Sequence, residues 1–259
     1  MNALKTEKTE NREPGFAAKQ IIRTALAPFR GAWPDEGRRI VQGPPLRDLL
    51  LRAIEYKRCF KRVLNAGSGE GGYSPYLLEL PGIELLIDSD LAYGADAPRL
   101  HSKQVRMGAS LTHVPLAAES VDLILCSEVL EHIPDDGQAL DELDRVLTPG
   151  GLLVITVPTP PAVADTNHVR EGYQLSQLSD MLRERGFEVI ETRFCMHYFF
   201  RLVLSTWPKW PWRTRFLLRG LSRLDTVTRT GKPMDLMVLA QKAVPKAADT
   251  KSTKAAKNL

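Results

Sequence analysis

Residues 62–72, RVLNAGSGEGG, decide the reading of this chain. An apolar, β-rich run, Arg62 to Ala66, passes directly into a turn with glycines at 67, 69 and 71. Glycines at that spacing let the backbone turn sharply and approach a ligand closely, with N–H groups aimed at something polar. Two readings stay open from the turn alone: a nucleotide-like cofactor, or a structural tight turn. The next β-rich run, IELLID (83–88), ends in Asp88, followed by Ser89 and Asp90. A carboxylate about twenty residues after such a turn can accept both hydroxyl hydrogens of an adenosine ribose. It can equally serve as a helix N-cap.

Outward from this pair, strand-like and helix-like segments alternate. Further β-rich runs are KQVRM (103–107), VDLILC (121–126), LLVITV (152–157), FEVIET (187–192) and DLMVLAQ (235–241). Helical patterns fall at 46–61, with Pro44 and Pro45 as a start signal, and at about 73–80, 135–147 and 174–185. Continuous apolar runs such as VDLILC and LLVITV mark strands buried on both faces. The expected fold is therefore α/β: a doubly wound, seven-stranded, mostly parallel sheet. The pattern predicts a single domain over residues 16–241, a disordered N-terminus over 1–15 and a disordered basic tail over 242–259.

In such a sheet, ligands bind beyond the carboxyl ends of the strands, so the residues after each strand are the ones that matter. His132, after the fourth strand, and His168, after the fifth, are the histidines placed to act as a general base toward a hydroxyl. Each also reads as an ordinary turn or packing residue, and Glu128 and Glu131 are acidic alternatives in the same turn. No two histidines or cysteines stand at metal-ligand spacing, so no metal is expected.

Charge is unevenly distributed. Residues 63–192 carry seven basic and 21 acidic side chains, whereas residues 193–232 carry nine basic and one acidic. An acidic centre disfavours nucleic acid as substrate. Three widely spaced cysteines, no apolar leader and no apolar run of spanning length point to a reducing cytoplasm. An insertion over 196–233 precedes the last strand and holds Trp207, Trp210 and Trp212. Its Leu217, Leu218, Leu221 and Leu224 share one helical side, and Arg215, Arg219 and Arg223 another. Tryptophan with arginine suits an anionic membrane surface met through residues 198–224, peripheral to the inner membrane; a lid over an acceptor pocket or a dimer contact suits the pattern equally.

Taken together, VLNAGSGEGG, LLIDSD, ASLTHVPLAAESVDLILCSEVLEHI and LDRVLTPGGLLVITVPTP resemble the class I S-adenosylmethionine-dependent methyltransferases, type 11 subgroup, over residues 62–195 and again over 234–241. The resemblance implies a Rossmann-like methyltransferase fold and S-adenosyl-L-methionine as cofactor. It puts Gly67, Ser68 and Gly69 against the methionine portion, Asp88 on the ribose, and Ser110 and Leu111 beside the adenine. Asn65, Ala66, Ser89 and Ser127 complete the implied set. Two positions depart from the family: Asn65 replaces a usual acid, and Ser110 replaces the Asp that commonly meets the adenine amino group. The expected activity is O-methylation of a small molecule, glycan or lipid-linked intermediate. The rival expectation is a non-catalytic binding or membrane-tethered regulatory protein that keeps the fold.

Overall fold

The computed structural model describes residues 34–94, 98–162, 167–198, 200, 201 and 215–245. Seven strands form one sheet: β1 (Arg62–Ala66), β2 (Leu85–Asp90), β3 (Gln104–Gly108), β4 (Val121–Ser127), β5 (Leu147–Pro158), β6 (Phe187–Cys195) and β7 (Asp235–Lys242). Their order is β3-β2-β1-β4-β5-β7-β6. The first five run parallel, and β7 lies antiparallel between β5 and β6. Among the described residues the main helices are α1 (Pro34–Tyr56), α2 (Ser74–Leu78), α3 (Asp136–Val146), α4 (Leu175–Glu184) and α5 (Arg215–Thr228).

Alternation along the strands feeds two apolar layers. Leu64, Ile124, Cys126, Leu153, Ile155 and Val157 point to one face, covered by α3 and α4 through Leu140, Leu143, Leu178 and Leu182. Val63, Leu123, Leu125, Leu152 and Val154 point to the other, covered by α1 through Leu46, Leu49, Leu50 and Ala53. Burial on both faces is why these strands read as unbroken apolar runs. At the opposite edge from the ligand side, Asp122 at the start of β4 accepts the N–H groups of Lys61 (2.9 Å) and Arg62 (3.1 Å) and pairs with Lys57 Nζ at 2.6 Å. Burial opposes ionisation of Asp122, but these bonds outweigh it and hold the carboxyl below its ordinary value.

One boundary differs from the sequence expectation. Pro44 and Pro45 do not start a helix at 46; they lie inside α1, which begins at Pro34. Proline has no N–H, so Pro45 cannot donate to the carbonyl of Val41 four residues back. That carbonyl accepts instead from Ser222 Oγ on α5, at 3.2 Å and buried. Leu218, with Leu221, packs on Ile40 beside it, so the insertion's helix docks on α1 and repairs its proline defect. Asp225 of α5 also accepts the backbone N–H of His197 at the exit of β6. Leu224, on the same helical side as Leu218 and Leu221 by spacing, is 44% exposed, because the docked side is set by Leu218, Leu221 and Ser222. The three insertion tryptophans lie outside the described residues, as do residues 1–15 and 246–259. Lys242, expected to open the disordered tail, is instead the last residue of β7, paired with Phe187 of β6.

Two outcomes follow. Ser222→Ala is expected to cost about 1–3 kcal/mol, read by urea unfolding, because the Val41 carbonyl loses its donor. The stability contributed by Asp122 is present above the unfolded carboxyl pKa of about 3.9 and disappears as pH falls through its lower folded value. Asp122→Asn should therefore be less stable at neutral pH and show a shallower acid limb in a stability–pH profile than the parent.

Candidate cofactor and acceptor site

Strand order reverses between β1 and β4, and in such a sheet the crevice for a ligand lies at the carboxyl edge beside the loops after those two strands. The glycine turn after β1 forms one wall. Gly67 has φ +67°, and a Cβ there would stand 2.3 Å from Val129 Cγ2 in the loop after β4. Only glycine lets the two loops approach so closely. Gly69 has φ +53° with nothing within 4 Å of an added Cβ, so the turn is open on that side. Its N–H donates to Asp90 Oδ2 at 2.8 Å.

The two acids of β2 have separate surroundings. Asp88 is fully buried. It accepts from Asn65 Nδ2 (2.9 Å), from Ser74 Oγ (2.9 and 2.8 Å) and from Gln104 Nε2. Gly71 closes over it, a Cβ there lying 3.2 Å from Asp88 Oδ2. Asn65 is thus an amide donor to the carboxylate beside it, where a second acid would have repelled Asp88 across the β1–β2 register. Asp90 sits at the partly open rim, with Oδ1 accepting from Ala92 N at 2.9 Å. Sequence reasoning singled out the first acid of the pair; strand pairing hides that one and presents the second.

The other expected residues distribute as follows. Ser68 Oγ is 2.9 Å from Tyr93 OH, and Tyr93 OH also donates to the Gly69 carbonyl. Burial pushes the Tyr93 hydroxyl pKa up. Tyr93 therefore covers part of the turn, a role with no signal in the motif. Ser110 Oγ caps its own turn, 2.8 Å from Thr112 Oγ1. Leu111 and Ala66 are buried in the apolar layer beneath the crevice, and Ser89 is buried within β2. Ser127 Oγ lies 2.8 Å from Thr156 Oγ1.

Behind Ser127 stands a polar network. Glu128, at φ +56°, accepts from Gln42 Nε2 (3.0 Å) and Thr156 Oγ1 (2.9 Å). The same amide of Gln42 donates to Asp235 Oδ2 at 3.0 Å, and Tyr73 OH donates to Gln42 Oε1. A glutamate held at positive φ costs about 1–3 kcal/mol and is retained where the surroundings overdetermine it. Gln42 comes from the part of α1 that the prolines concealed.

His132 and His168 meet at the carboxyl edge, their ring centroids 4.7 Å apart and edge to face. His132 Nδ1 is 3.1 Å from the Asn167 carbonyl. On the far side of the glycine turn, a cleft of about 1910 Å³ runs between α1, β6 and α5 and is lined by Arg39, Arg193, Arg219, Arg223 and Arg229.

The methyltransferase domain family, type 11, matches residues 64–155. Among curated relatives, one from Mycolicibacterium smegmatis, named a probable S-adenosylmethionine-dependent methyltransferase, is 29% identical over 180 residues, covering 64% of this chain and 70% of its own. The malonyl-[acyl-carrier protein] O-methyltransferase 1 of Coxiella burnetii is 27% identical over 164 residues, 59% of this chain and 57% of its own. The chain spans about half the length of the Mycobacterium relatives that it also matches. Among solved structures, the Burkholderia thailandensis 1,6-didemethyltoxoflavin-N1-methyltransferase, with its substrate and S-adenosylhomocysteine bound, superposes with a TM-score of 0.54 at 17% identity, covering 92% of this chain and 93% of that one. Glycine turn, crevice and strand order define a class I S-adenosylmethionine-dependent methyltransferase. Within that class residues 64–155 match the type 11 family, and S-adenosyl-L-methionine is the cofactor. The open side of Gly69 and the rim carboxylate of Asp90 fit such a group.

Asp88→Ala is expected to destabilise the fold by roughly 2–4 kcal/mol in chemical denaturation, since buried donors from Asn65, Ser74 and Gln104 lose their acceptor. Asp90→Ala should leave stability near that of the parent and weaken S-adenosylhomocysteine binding by at least about tenfold in calorimetry. Gly67→Val should abolish that binding, because its side chain drives into Val129.

Proposed function

We propose that the chain transfers the methyl group to an oxygen of an anionic acceptor: a small molecule, a glycan or a lipid-linked intermediate. The observation that carries the reading is the convergence of His132 and His168 beside Glu131 on the loops after β4 and β5. Bound S-adenosylmethionine supplies an electrophilic methyl group on a sulfonium, and an oxygen acceptor must lose a proton as the bond forms. The protein's part is to align donor and acceptor, exclude water and take up that proton. An amine acceptor has its own lone pair and needs less of this. The Coxiella relative's name, an O-methyltransferase, agrees in reaction type.

The cleft holds its five arginines together with Asp48, Glu70, Glu191 and Asp225. Arg193 pairs with Glu191 at 2.7 Å and Arg39 lies 3.9 Å from Glu70. Support for an anionic acceptor therefore comes from Arg219, Arg223 and Arg229, whose guanidinium groups favour phosphate or carboxylate through paired N–H donors. A lipid-linked acceptor is supported by the exposed Phe216, Leu224 and Val227 of α5, beside the cleft's Arg219 and Arg223. That arrangement suits an anionic interface. Among the described residues no helix is long and apolar enough to cross a membrane.

His168→Ala is expected to keep S-adenosylhomocysteine affinity within about twofold while lowering turnover on an oxygen acceptor by about 10²-fold or more. Screening hydroxyl and carboxyl acceptors against amines, with and without anionic vesicles, tests the reading. Turnover confined to amines would overturn it.

A further inference from the structure

Glu131, His132 and His168 present one ligand atom each, all within 4.8 Å of one another. We infer that these three side chains form a binding site for a single divalent transition-metal ion of the zinc type, at the carboxyl edge of the sheet.

The hydrogen bonding of His132 carries the argument. A backbone carbonyl only accepts, so the 3.1 Å contact with the Asn167 carbonyl requires the proton to sit on His132 Nδ1. In the neutral ring this leaves Nε2 as a bare lone pair, and Nε2 lies 3.9 Å from Glu131 Oε1. Nε2 and the carboxylate oxygen are thus two electron-pair donors at a separation that a shared cation can bridge. The edge of His168 closes the third side, with its ring centroid 4.7 Å from that of His132. A carbonyl holding the remote N–H of a histidine is the arrangement that orients imidazole ligands on metals. Around zinc, with bonds of about 2.0–2.1 Å, tetrahedral ligand atoms stand about 3.3 Å apart, so small side-chain rotations bring the three to bonding distance. Two imidazoles and one carboxylate select a borderline ion such as Zn²⁺ or Co²⁺ over Mg²⁺. Glu131 is fully buried while His132 is 35% exposed, which leaves the outer side of the site open to an exogenous ligand.

The frame around the cluster is rigid. Arg170 Nη1 donates to the carbonyls of Leu130 (2.6 Å) and Ile133 (2.8 Å), and Val169 N donates to the Glu131 carbonyl at 2.9 Å. Tyr173 OH reaches Asp136 Oδ2 at 2.7 Å. The loop bearing His168 is thereby stapled to the turn bearing Glu131 and His132. The site bears on the oxygen-directed reading, since a metal held there would bind an acceptor hydroxyl and ease the loss of its proton. It does not depend on that reading, because metal occupancy is measured without turnover.

The test is titration of the full chain, stripped with chelator, with Co²⁺ followed by visible absorption and with Zn²⁺ in competition. The expected result is one equivalent bound, with d–d bands, displaced by Zn²⁺ and not by millimolar Mg²⁺. Affinity should fall at least about tenfold in His168→Ala and in His132→Ala, each retaining parental circular dichroism and S-adenosylhomocysteine affinity. Cys59→Ser should bind as the parent does, excluding the exposed thiol. Co²⁺ binding equal in the parent and in the double variant His132→Ala/His168→Ala, or lost with Cys59→Ser, would overturn the inference. Failure of metal binding with methyl transfer to oxygen intact would leave the proposed function standing.

Discussion

The pairing of β1 with β4, Val63 to Ala66 against Leu123 to Cys126, is the constraint from which the functional surface follows. β2 and β3 build outward from β1 on one side, and β5, β7 and β6 from β4 on the other. The loops leaving β1 and β4 therefore rise from neighbouring strand ends at the point where the strand order reverses. The glycine turn and the Ser127 to His132 segment face each other for this reason. The approach of Gly67 to Val129 records how closely they do so. Both faces of these strands are covered by apolar helices, so the register cannot slip by a residue without exposing one layer to water.

On that frame, buried polar groups divide the work between two clusters. Asp88 spends its ionised oxygens on Asn65, Ser74 and Gln104, and so ties β1, α2, β2 and β3 together beneath the glycine turn. The departure at Asn65 belongs to this cluster: an amide there gives the carboxylate a donor instead of a like charge. Gln42 plays the matching part on the other side, bridging Glu128 and Asp235 with one amide. Both clusters lie where strand ends meet loops, and a missing partner would leave a desolvated donor or acceptor. That cost makes them sensitive to any shift of α1 or of the insertion.

Much of this was legible because period and composition are local properties. β1 matches its expected span, and β4, β6 and β7 differ only by extension at their carboxyl ends. α3 starts where Asp135 caps it, accepting from Gln138 N at 2.9 Å, one residue inside the expected span. The sequence starts this helix at 46 because proline is locally a helix breaker, whereas its compensation by Ser222 lies 181 residues away. The acid pair of β2 was read from spacing, which cannot distinguish a carboxylate turned beneath a loop from one at the rim. His132 and His168 were found singly; their approach depends on two loops that share no sequence neighbourhood.

By itself, the sequence determined the class of fold, the order of its strands and helices, the glycine turn and the family, because apolar periodicity and a turn motif act over a few residues. Tertiary structure alone decided which acid reaches the rim, that Gln42 joins the site, that arginines from α1, β6 and α5 line one cleft, and that Glu131, His132 and His168 converge. Those outcomes depend on which strand ends become neighbours across the sheet, and that is set by the packing of both apolar layers at once.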